Sequence, residues 1–64
     1  MWIKTQGGYL LNLDNVEFII YDSGNDNTYA YGGSDTRFYI IGEGNRVDSV
    51  YENLNRGTKI MEVR

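Results

Sequence analysis

The 64-residue sequence contains no cysteine, no histidine, no proline and only one alanine. These absences exclude disulfide staples, thiol nucleophiles, Cys/His zinc sites and any triad built on an imidazole base. Long hydrophobic runs are missing as well. The longest, Phe18 to Tyr21 and Phe38 to Ile41, are four residues each, against the roughly 20 that a membrane helix needs. Nothing between Met1 and Gly8 reads as a signal segment, so the expected compartment is the cytoplasm and no membrane partner is expected. An excess of positive charge is also lacking. The six cations (Lys4, Arg37, Arg46, Arg56, Lys59, Arg64) are scattered among nine carboxylates, for a net charge of −3. Phosphate neutralisation normally requires a basic stripe, so a nucleic-acid partner is not expected.

The residues that are present describe a small β-rich globule. Six tyrosines, two phenylalanines and one tryptophan make 14% of the chain aromatic, and eight glycines and seven asparagines supply turns. Tyr, Phe, Ile and Val favour pleated, half-buried surfaces. A chain of this length is one domain, residues 1–64, and a domain of about 60 residues buries only roughly 60% of its unfolded surface. With neither disulfides nor soft metal ligands, such a scaffold relies on a dense core or on a partner chain.

Hydropathy and turn chemistry place the elements. Met1 to Thr5, Gln6-Gly7-Gly8 and Tyr9 to Leu13 read as a β-hairpin. Asp14-Asn15 is a turn, and Val16 to Tyr21 is the strongest strand. Asp22 to Asn27 is turn chemistry throughout. Strands at Thr28 to Tyr31 and Arg37 to Ile41 flank the turn Gly32-Gly33-Ser34-Asp35. The period then changes: Val47, Val50, Tyr51 and Leu54 fall at i, i+3, i+4 and i+7, the stripe of an amphipathic helix of about twelve residues. Asn45 suits its N-cap, Arg56 its last turn and Gly57 its C′ position. Lys59 to Val63 reads as a short final strand. The predicted fold is therefore α+β: a mostly antiparallel sheet of about five strands, opened by a hairpin and packed against one C-terminal helix.

Side chains alternate along a strand, so each strand presents two faces. Val16, Phe18 and Ile20, with Phe38 and Ile40, are expected to pack beneath the helix. The opposite face carries Ile19, Tyr21, Tyr39 and Ile41, with Arg37 and the Tyr29/Tyr31 pair, and one helix cannot cover both sides. Burying one such side chain is worth roughly 1.5–3 kcal/mol, so a cover for the second face is expected. Either the hairpin folds over it, or it is an interface. On the second reading Ile19, Tyr21, Tyr29, Tyr31, Arg37, Tyr39 and Ile41 form the contact surface of a homodimer or partner complex. Trp2 is read as a lid on one end of the core or as an exposed anchor.

Motifs with a chemical look have plainer readings. Gly42-Glu43-Gly44 between a strand and a helix is similar to a dinucleotide-binding start. But Val47 stands where a third glycine belongs, and Glu43 stands where phosphate would sit. A weak anion site at the helix start, helped by Arg46, is the remaining chemical reading. Asp22 to Asn27 departs from the calcium-loop pattern at its third, sixth and twelfth positions. The pairs Asp14/Glu17 and Asp48/Glu52 read as solvated carboxylates, and no serine or threonine has a base beside it. Neither enzymatic activity, metal nor cofactor is expected.

Met1-Trp2-Ile3-Lys4-Thr5, Gly8 and Asn12-Leu13-Asp14-Asn15-Val16 resemble the opening of short uncharacterised proteins of Gram-positive bacteria and their phages. Ile41-Gly42 and the Val47–Leu54 helix match the layout of that group. The resemblance implies a phage or mobile-element origin and carries no activity or site residues. The expected function is a non-enzymatic, homodimeric binding protein in the host cytoplasm, a phage-encoded inhibitor that blocks a host protein, such as a defence component, by steric occupation. Two alternatives stand beside it. One is a nucleotide-binding sponge at a dimer seam, with tyrosines stacking on the base and Arg37 or Arg46 holding phosphate. The other is a housekeeping structural module.

Overall fold

A computed structural model describes residues 1–32 and 37–64, except for the side chain of Arg37. The turn expected at Gly32 to Asp35 therefore falls largely outside the described residues. The elements are β1 (Trp2–Lys4), β2 (Leu10–Asn12), a 3-10 turn (Leu13–Asn15), β3 (Phe18–Asp22), β4 (Asn27–Gly32), β5 (Arg37–Glu43), α1 (Val47–Asn55) and β6 (Ile60–Glu62). The fold is α+β, as expected from the sequence, with an N-terminal hairpin and one helix towards the C-terminus. The strands are divided between two three-stranded sheets, ordered β2-β1-β6 and β3-β4-β5.

The first sheet starts from the hairpin turn. Thr5 N–H donates to Tyr9 O at 2.7 Å, and Thr5 Oγ1 accepts from Tyr9 N–H at 3.0 Å. Gly8 sits at a positive φ of 93°, which favours glycine. β6 returns alongside β1 in parallel, with Ile3 opposite Met61. The second sheet is an antiparallel meander. Its β3–β4 turn is held by Asp22 Oδ1, which accepts Gly24 N–H at 2.8 Å, and by Tyr21, whose hydroxyl donates to Asp26 Oδ1 at 2.7 Å.

The register between β4 and β5 shifts between Thr28 and Tyr29: Tyr29 faces Ile40 while Thr28 faces Gly42. The extra residue is Ile41, so Ile41 and Gly42 both lie on the core side and both are buried. Such a bulge bends its strand. Here it brings Gly42 so close to the first sheet that an added Cβ would meet Val63 Cγ1 at 2.7 Å. Gln6 joins the sheets at this point. Its backbone N–H donates to Ile41 O at 2.9 Å and its side-chain oxygen accepts Glu43 N–H at 2.7 Å.

The core lies between the two sheets. Ile3 and Met61 from the first sheet, Ala30 and Ile41 from the second, and Val50 and Val63 form it, with Met1, Leu11, Leu13, Val16 and Ile19 packed around them. The faces of the second sheet are thus exchanged relative to expectation. Ile19 and Ile41 face the core, while Phe18, Ile20, Phe38 and Ile40, expected beneath the helix, face outwards. The physical reason is that the hairpin, together with β6, covers the sheet. The helix closes one flank and inserts Val50.

α1 has nine residues instead of about twelve. Asn45 lies just outside it, where its Oδ1 accepts Val47 N–H at 3.1 Å. The C-terminal signal is met at Gly57, while Arg56 is the C-cap itself and no basic residue lies in the last turn. Gly57 has φ 71° and donates to Leu54 O, and Thr58 N–H donates to Asn53 O at 3.0 Å, a Schellman stop. Tyr51 and Leu54, half of the expected stripe, remain more than half exposed. Trp2 is not a core lid. It lies on the outer face of β1 opposite Asn12 and is substantially exposed. Among the described residues no helix is long and apolar enough to cross a membrane.

Candidate functional site: the outer face of the β3–β4–β5 sheet

Three antiparallel strands place six large side chains on one face, because residues opposite each other share a side. Phe18 faces Tyr31, which faces Phe38; Ile20 faces Tyr29, which faces Ile40. Phe18 and Tyr31 stack at 4.9 Å with rings 13° from parallel. Phe38 meets Tyr31 at 5.9 Å and stands edge-on to Tyr29 at 5.5 Å. Such pairs add about 0.5–1.5 kcal/mol each beyond the area they bury. Tyr29 is nearly enclosed by its neighbours, and its hydroxyl accepts a hydrogen bond from Asn25 Nδ2 at 2.8 Å. The face is therefore held in one arrangement before anything touches it. Phe18, Ile20, Phe38 and Ile40 remain 51, 45, 57 and 50% exposed.

The residues expected at an interface are divided between the two faces. Tyr29 and Tyr31 belong to this open face. Ile41 is fully buried and Ile19 packs against the core, so neither offers much surface. Tyr21 is half-buried and engaged with Asp26. This hydrogen bond holds the Tyr21 hydroxyl above its ordinary pKa, helped by desolvation and the nearby Asp26 and Asp22 charges. Tyr39 lies opposite Ala30 on the other side of β5 and is partly exposed. The Arg37 side chain is outside the described residues. Phe18, Ile20, Phe38 and Ile40 were assigned to the core by the sequence pattern. The bulge at Ile41 lies beyond Phe38 and Ile40 and does not set which side they face.

Along the β5 edge lies a concavity of about 950 Å³, lined by Trp2, Tyr9 and Leu10 of the hairpin and by Phe38, Tyr39 and Ile40 of β5. Asn12, Asn15 and Asn27 add amides to its lining, and Glu43 adds a carboxylate. No family model matches the chain. No curated protein or solved structure is detectably similar to it either.

The chemical-looking motifs are taken up by the architecture. Thr28, fully buried, donates from Oγ1 to Gly44 O at 2.7 Å and accepts Arg46 N–H at 2.8 Å. It thereby ties the Gly42-Glu43-Gly44 turn to β4. Arg46, the cation assigned to an anion, donates from Nε to Glu43 O at 2.7 Å and from its terminal nitrogen to Arg64 O at 2.8 Å. Among the described residues no group of three or more Asp or Glu is placed to hold a metal ion. What the open face offers is apolar and aromatic contact with a few polar tips.

Proposed function

We propose that this chain is a non-catalytic protein-binding module that pairs with a second copy of itself through the outer face of β3, β4 and β5. The observation that carries this reading is the half-exposure of Phe18, Ile20, Phe38 and Ile40 on a face already ordered by Tyr29 and Tyr31. Side chains of this size bury about 150–250 Å² each, so the four half-exposed ones leave about 400 Å² of apolar surface. That is about a tenth of the 4522 Å² total, the share a standard interface takes of a small protein. It supplies about half of the roughly 800 Å² each partner contributes, leaving a polar rim to provide the rest. A face rigid before contact loses little side-chain entropy on binding.

The N-terminal resemblance to short phage and Gram-positive proteins supports the further step, that the dimer acts in a host cytoplasm by steric blocking of a host protein. Sedimentation equilibrium of the chain and of a Phe38→Ser/Ile40→Ser variant tests the pairing. The expected result is a dimer that dissociates on dilution, with the variant folded and monomeric at every concentration. A parent chain that is monomeric at millimolar concentration contradicts the reading.

A further inference from the structure

A second apolar concavity lies on the opposite flank, between α1 and the segment running from the 3-10 turn into β3. Its volume is about 640 Å³. Val50 is its closed floor, Leu13 and Val16 line one wall, and Tyr51 and Leu54, 55 and 53% exposed, form the other. The surroundings are mainly acidic. Asp14 and Glu17 line the groove on the strand side, with Asp14 4.0 Å from the N-terminal ammonium. On the helix side Asn55 lines it, and Asp48 and Glu52 lie in the same i, i+4, i+7 row as Asn55. No lysine or arginine is among its described lining residues. Two of the chain's cations are held elsewhere: Arg46 is bound to the Glu43 and Arg64 carbonyls, and Arg64 is 3.4 Å from Glu62.

We propose that this groove docks a basic amphipathic helix of a partner protein. An apolar trough takes the apolar face of a helix at i, i+3, i+4 and i+7 anchors, and the acidic rim pairs with lysines or arginines flanking those anchors. Charge of this kind sets partner choice and association rate. The nine residues of α1 give the trough a wall about 13 Å long, enough for two turns of a partner helix. An added β-strand fits less well, because β3 contributes only Phe18 and Ile19 to the lining, too short a stretch to seat one. The proposal deepens the protein-binding reading by naming the partner's chemistry, and it does not depend on the dimer.

The test uses a labelled Lys/Leu peptide of about 14 residues with leucines at helical spacing, and the same composition with the leucines scrambled. Fluorescence anisotropy is read at two salt concentrations. The patterned peptide is expected to bind at least tenfold more tightly than the scrambled one. Leu54→Ser should weaken it about tenfold. Asp48→Asn with Glu17→Gln should weaken it several-fold and flatten the salt dependence, with circular dichroism unchanged in all variants. Phe38→Ser/Ile40→Ser should leave peptide binding intact while abolishing the dimer, so the two proposals fail separately. The groove proposal is overturned if neither peptide binds, if the scrambled peptide binds equally well, or if Leu54→Ser has no effect.

Discussion

The two faces of the β3–β4–β5 sheet are built from nearly the same residues and have opposite fates. The inner face carries Ile19, Tyr21, Ala30, Tyr39 and Ile41 and lies against the hairpin, β6 and Val50. The outer face carries Phe18, Ile20, Tyr29, Tyr31, Phe38 and Ile40, a larger apolar set, and Phe18, Ile20, Phe38 and Ile40 on it stay about half exposed. Hydrophobicity alone would have buried the outer face first. The choice is made instead by where the backbone can approach. Gly42 admits Val63 on one side only, Gln6 ties β5 to the hairpin on that side, and the bulge at Ile41 turns two successive residues inwards.

The contrast between neighbouring residues of β5 gives the largest expected effect. Ile41→Ala empties a fully buried position and should cost about 2–5 kcal/mol, read from urea unfolding. Ile40→Ala, one residue away, should change the stability of the monomer by less than about 1 kcal/mol and act on association instead. Equal losses at the two positions would erase the distinction between the faces. Next is Thr28→Val, which leaves the Gly44 carbonyl and the Arg46 N–H without their partner. About 1–3 kcal/mol of destabilisation is expected. Gly42→Ala tests the close approach that selects the inner face. The added methyl meets Val63 Cγ1 and the Gln6 side chain, and overpacking of this kind costs about 1–3 kcal/mol. If the variant unfolds at the parent's urea midpoint, the approach is not what fixes the choice.

The smallest effect concerns pH. Tyr21 keeps its proton longer in the folded chain than in the unfolded one because it donates to Asp26. Its contribution to stability is therefore constant below pH about 10. It is lost as the pH rises through the higher folded-state value. Ultraviolet titration of tyrosinate should show Tyr21 ionising late. Asp26→Asn should bring it down toward the ordinary tyrosine value, and Tyr21→Phe should remove that late component.

Much of the architecture was legible in the sequence because it rests on local chemistry. Gly57 after Arg56 stops the helix through the expected geometry, Gly8 closes the hairpin, and Asp22 to Asn27 is a plain turn. The side of the sheet that faces the core was not legible. Alternation with period two divides β3 into Phe18/Ile20 and Ile19/Tyr21 but gives neither set a direction. That direction comes from contacts between residues far apart in the chain, Gln6 with Ile41 and Glu43, and Gly42 with Val63. The bulge is silent in composition for the same reason. Tyr29 and Tyr31 were placed on the contact surface from their type alone, and the phenylalanines beside them were assigned to the core by the same preference for burying large apolar groups.

The most direct test is the dilution dependence of the chain's NMR spectrum, recorded residue by residue from millimolar to micromolar concentration. The shifts that move should belong to Phe18, Ile20, Tyr31, Phe38 and Ile40, while Ile3, Ile41 and Val50 in the core and Tyr51 and Leu54 on the helix stay still. A spectrum that does not change with dilution, or changes confined to the helix or to the Trp2 side of the hairpin, would contradict the assignment of the outer face as the pairing surface.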